Sequence, residues 1–106
     1  MSTSIPRGNL LKLFAVQVTF DPAAVATITT AEQNVTVTGV KVGDIVIAVN
    51  KPTLTAGVGI VNARVSAADT VSVQFVNPTA GSVNPASETY TFVIARPEPM
   101  GSVFNA

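Results

Sequence analysis

Apolar side chains recur at every second position in one short segment after another of this 106-residue chain, a period that suits strands and not helices. Between Lys12 and Phe20, Phe14, Val16, Val18 and Phe20 alternate with Leu13, Ala15, Gln17 and Thr19. Gln33 to Thr38 alternates through Val35 and Val37 until Gly39 breaks it. Asp44 to Asn50 is apolar on both faces, Ile45, Ile47 and Val49 against Val46 and Ala48, which predicts a strand near the centre of a sandwich. Val58 to Val65 predicts Ile60, Asn62 and Arg64 on one face and Val61, Ala63 and Val65 on the other. Thr70 to Val76 follows with Val71, Val73 and Phe75 inward and Ser72 and Gln74 outward, and Thr89 to Arg96 places Tyr90, Phe92 and Ile94 together. Ala23 to Thr30 is ambiguous: its alanines allow a helical turn, while Thr27 to Thr30 favours a short strand around Val25 to Thr29.

The punctuation between these segments agrees with the period. Asp21-Pro22 stops the first strand, since proline offers no N–H to a ladder. Lys41-Val42-Gly43-Asp44 predicts a tight turn. Lys51 to Gly57 reads as a loop, Ser66 to Asp69 as a four-residue hairpin connection, and Asn77 to Glu88, with Asn-Pro at 77 and 84, as a long surface loop. Even spacing of short strands excludes a parallel α/β fold. The expectation is an all-β, single-domain antiparallel β-sandwich or barrel-like fold at residues 13–100, with an extended N-terminal arm at 1–12 and a tail at 101–106.

Composition then limits what such a domain does. Charged residues are 11% of the chain and the formal net charge is zero, where soluble domains carry roughly 25%. A surface so poorly charged suits a protein that is largely covered in an assembly; the plain alternative is a monomer coated with Thr and Asn. Six basic residues are balanced by six acidic ones, which leaves no electrostatic footprint for nucleic acid. No apolar run approaches the roughly 20 residues that cross a bilayer, and secretion through a signal peptide is not expected, because the apolar stretch after Gly8 is short. Cysteine is absent, which rules out disulfides and thiolate chemistry.

Histidine is absent too, so the commonest general base and the usual zinc and iron ligands are missing. Asp21, Asp44 and Asp69 each sit in or beside a turn, where Asp commonly caps local N–H groups. Glu32 and Glu88 stand apart in sequence, and no carboxylate pair or Asp-rich calcium loop is present. Gly39, Gly43, Gly57 and Gly59 lack the setting of a phosphate loop. Asn34-Val35-Thr36 fits a glycosylation triplet that arises readily by chance. No catalytic, cofactor-binding or metal residues are expected. Arg64, inside a strand, reads as an outer-face residue pairing with Asp69 or Glu88, or else as half of an ion pair between subunits. Ile5, Leu10, Leu11 and Leu13 are apolar groups that an isolated arm would leave in water, and they are the candidate partner-binding residues alongside Arg64.

Val40 to Val46, Ala63 to Gly81 and Thr89-Tyr90-Thr91-Phe92 together resemble a group of small β-rich proteins encoded among the structural genes of tailed bacteriophages, several of them similar to capsid decoration, or cement, proteins. The likeness spans about Val35 to Arg96. It implies a non-catalytic protein on the outer capsid surface of a virion, assembled in the host cytoplasm, whose partners are the major capsid protein and copies of itself in a homotrimer. No cofactor, nucleic acid, membrane or small-molecule substrate is implied. The competing expectations are another virion module (tail tube, baseplate or fibre domain) and a host-surface binding module. The absence of Trp and the single Tyr disfavour sugar stacking in the latter.

Overall fold

The computed structural model describes residues 9–98. Six strands follow in order: β1 (Leu10–Phe20), β2 (Thr29–Thr36), β3 (Ile45–Asn50), β4 (Gly59–Ala67), β5 (Thr70–Asn77) and β6 (Glu88–Pro97). They form two antiparallel three-stranded sheets, β1-β6-β3 and β2-β5-β4. The all-β antiparallel expectation therefore holds.

Alternation decides which side chains meet between the sheets. On one inner face, Phe14, Ile94 and Val46 lie abreast, then Val16, Phe92 and Val49, then Val18 beside Tyr90. The other contributes Val35, Val71 and Val65, then Ala31, Phe75 and Ile60. The two middle strands supply the largest fully buried side chains, Tyr90, Phe75 and Phe92. Phe20 completes the aromatic cluster, 5.2 Å from Tyr90 edge to face and 6.2 Å from Phe75. Burying such a side chain contributes about 1.5–3 kcal/mol.

Several sequence expectations are corrected. β3 lies at the edge of its sheet, not the centre; its second apolar face meets no other layer. Val61 is the extra residue of a β-bulge between Ile60 and Asn62, and it is exposed. The bulge reverses the alternation, so Ile60 joins Ala63 and Val65 against the core while Asn62 and Arg64 face outward. β1 starts at Leu10, inside the expected arm, because β6 runs on to Pro97 and supplies ladder partners: Leu10 pairs with Pro97 and Lys12 with Arg96. A bulge at Leu11 hides that pairing from a strict period of two. Val25 makes only an isolated bridge with Val83, and continuous pairing begins at Thr29. The β4–β5 connection is a two-residue turn, Ala68-Asp69, with Asp69 in the left-handed region at φ 57. Asn77 belongs to β5 and is fully buried.

Loop chemistry fixes the two ends. At one end Asn77 Nδ2 donates to the carbonyls of Val25 and Gly81, and its Oδ1 accepts from the Thr79 N–H and hydroxyl. At the other, the Asp44 carboxylate accepts from the Lys41 N–H at 2.9 Å across the expected 41–44 turn, in which Gly43 supplies φ 102. Arg96 donates to both Asp44 oxygens, at 2.9 and 2.8 Å, and to the Gly39 carbonyl. These hydrogen bonds hold the Asp44 carboxyl below its ordinary value, against the opposing effect of burial.

Candidate functional site

The two outer faces of the sandwich differ in kind. On the β2-β5-β4 sheet the outward rows are Asn34, Ser72 and Arg64, then Glu32, Gln74 and Asn62. Their polar groups bond to one another: Ser72 Oγ donates to Asn34 Oδ1 at 2.6 Å and lies 2.6 Å from Ser66 Oγ, while Arg64 makes two 2.8 Å bonds to Glu32. The partner of Arg64 is thus Glu32, across the middle strand, rather than the Asp69 or Glu88 expected from sequence. The pair lowers the Glu32 pKa and raises that of Arg64, chiefly through those bonds. Such a face is at ease in water.

The outer face of the β1-β6-β3 sheet runs Leu13, Ala95 and Ile45 abreast, then Ala15, Val93 and Ala48, then Gln17, Thr91 and Asn50. The bulge residue Leu11 adds to its aliphatic end, while the bulge residue Ile47 lies at the β3 edge, beside Val61 and Asn62 of β4. Leu11, Leu13, Ile45 and Ile47 are 60, 62, 52 and 55% exposed. Lys12, Glu88 and Arg96 lie at the opposite parity, so this outer face carries no charged side chain among the described residues. Antiparallel sheets commonly turn a polar face to solvent; this one turns an aliphatic end that grades into threonine, glutamine and asparagine.

The face also has relief. Ala95 is 2% exposed although it points outward, because Leu13 and Ile45 stand on either side of it. The next row has the opposite relief, Val93 of the middle strand between Ala15 and Ala48. Beyond the strand ends the aliphatic surface gives way to a shallow groove of ≈ 220 Å³ in which Leu11, Val42 and Pro97 alternate with the charged Lys41, Asp44, Arg96 and Glu98.

Polar chemistry elsewhere is structural in its geometry. Lys51 stands 2.9 Å from Glu88 Oε2 and donates to the Thr53 carbonyl and to Thr55 Oγ1, and Thr53 Oγ1 donates to Glu88 Oε1. This cluster pins the β3–β4 loop, whose tip residue Leu54 is 90% exposed, and lowers the Glu88 pKa, first through the Lys51 bond. Burial, and secondarily the Glu88 carboxylate, push the Tyr90 phenol up to about 12. No group of three or more His, Cys, Asp or Glu suited to a metal occurs among the described residues, nor any helix long and apolar enough to cross a membrane.

Of the residues singled out from sequence, Leu11 and Leu13 fall on the aliphatic face and Leu10 at its end; Arg64 lies on the opposite sheet, and Ile5 is outside the described residues. Sequence reasoning missed Ile45 and Ile47, whose two-faced apolar pattern reads as burial within one subunit. Comparison with protein-family models, with curated proteins and with solved structures finds no match.

Proposed function

We propose that the protein is a non-catalytic structural subunit that works by packing against other protein subunits. Following the resemblance over Val35 to Arg96, it is a capsid decoration protein that binds the major capsid protein lattice and copies of itself, and so stabilises the head. The observation that carries the assembly part of this reading is the difference between the two outer faces. One satisfies its polar groups internally, and the other leaves three large aliphatic side chains, Leu11, Leu13 and Ile45, more than half exposed on a charge-free surface. Covering that face with protein removes apolar area at roughly 25 cal/mol per Å² without desolvating a charge.

The test mixes the purified chain with empty capsid shells and sediments them. A decoration protein is retained up to a fixed number of copies per shell, and retained shells resist heat longer. Absence of retention at any concentration would remove the decoration reading.

A further inference from the structure

We propose that the outer face of the β1-β6-β3 sheet is self-pairing, occupied by the same face of a second copy across a two-fold axis. The inference rests on the assembly reading above and deepens it by naming the occupant of that face. Three properties support it.

The first is charge. A face that meets its own copy places like charges near one another if it carries any of one sign, and such juxtaposition opposes association. The described part of this face carries none, and its polar end consists of Gln17, Thr19, Thr89, Thr91 and Asn50, which both donate and accept hydrogen bonds.

The second is shape. The first row sets Ala95 low between Leu13 and Ile45 of the edge strands, and the second reverses the order, with Val93 standing between Ala15 and Ala48. A two-fold rotation that keeps the sheets nearly aligned sets the Val93 of one copy over the Ala95 hollow of the other. Both copies gain the same contact, as an isologous interface requires. Packed sheets interdigitate in this way at a separation of about 10 Å.

The third is area. A three-stranded sheet is about 14 Å wide, and a ten-residue strand such as β6 is about 33 Å long. Two such faces laid along one another, with β3 only six residues long, cover roughly 800 Å² in projection, and side-chain relief adds to that, which brings the pair toward the size at which specific interfaces begin, about 1,000 Å². The Leu54 tip, a single side chain on a loop, does not approach this area. A self-complementary face closes as a pair, so the symmetry differs from the threefold that the family resemblance implies.

The experiment measures the mass of the full chain by sedimentation equilibrium, beside two pairs of variants. Leu13→Lys puts an exposed side chain's charge on the face, with Asn62→Lys as its counterpart on the polar sheet. The chain has no cysteine, so Ala15→Cys and Gln74→Cys each provide one thiol, on opposite outer faces. The expected results are a dimer, association weakened on the order of 100-fold or more by Leu13→Lys and unchanged by Asn62→Lys, and disulfide-linked dimers from Ala15→Cys but not from Gln74→Cys. A monomer or trimer, a dimer indifferent to Leu13→Lys, or cross-linking through Gln74→Cys alone overturns the inference. Sedimentation with capsid shells separates this from the broader reading. A monomeric chain that still binds shells loses the pairing and keeps the decoration role, whereas a dimer that ignores shells does the reverse.

Discussion

Phe75 and Phe92 sit on the middle strands of the two sheets, each fully buried. Truncating either to alanine leaves a void between layers that the ladders on both sides hold apart, so Phe75→Ala and Phe92→Ala are each expected to cost about 3–5 kcal/mol. Chemical denaturation checks this, and an unchanged midpoint would contradict the assigned faces. Asn77 is as buried, and its amide holds the carbonyls of Val25 and Gly81 while accepting from Thr79. Asn77→Ala removes these bonds and strands the Thr79 N–H, while the Val25 carbonyl keeps the Val83 N–H and the Gly81 carbonyl keeps the Thr79 hydroxyl, and it is expected to cost about 1–3 kcal/mol. Acid exposes a different dependence. The folded-state pKa values of Asp44 and Glu88 are depressed below their ordinary 3.8 and 4.5. The stabilisation linked to them is therefore fully present above those ordinary values and lost as pH falls through the depressed ones. The melting temperature is expected to hold steady down to about pH 5 and then to fall, and Asp44→Asn should flatten that acid limb. A decline that begins between pH 8 and 6 would point to other groups.

The strands show where period-two reasoning succeeds and where it fails. Tyr90, Phe92 and Ile94 in β6, and Val71, Val73 and Phe75 in β5, were legible because middle strands without bulges keep strict alternation. The edge strands β1, β3 and β4 each contain an irregularity, at Leu11, Ile47 and Val61, and there the period loses its phase. Strict alternation makes Val61 the core residue and Ile60 the outer one; the bulge exchanges them. Val61→Ala is expected to change stability by no more than about 0.5 kcal/mol. Ile60→Ala should cost about 2 kcal/mol, the lower end for an aliphatic core position, since Ile60 is only half buried. The reverse order, measured by urea denaturation, would contradict the bulge. The role of Arg64 escaped sequence reasoning for another reason: its partner Glu32 is 32 residues away and on a strand two ladders across.

For the whole molecule, the low charge visible in the sequence is unevenly distributed. Ion pairs concentrate at the two ends and on the polar sheet, as Lys51–Glu88, Arg96–Asp44 and Arg64–Glu32, and the described outer face of the β1-β6-β3 sheet is left without any. Composition pointed to assembly but not to a surface, because β3 and the start of β1 present the same apolar residues whether a second layer of the same subunit or another subunit covers them. The most direct test is hydroxyl-radical footprinting of side chains in the assembled protein against the Leu13→Lys chain, read by mass spectrometry. Assembly is expected to protect Leu11 and Ile45 and to leave Val61 and the side chains of the polar sheet as reactive as before. Equal reactivity of Leu11 and Ile45 in both samples, or protection confined to the β2-β5-β4 face, would contradict the account.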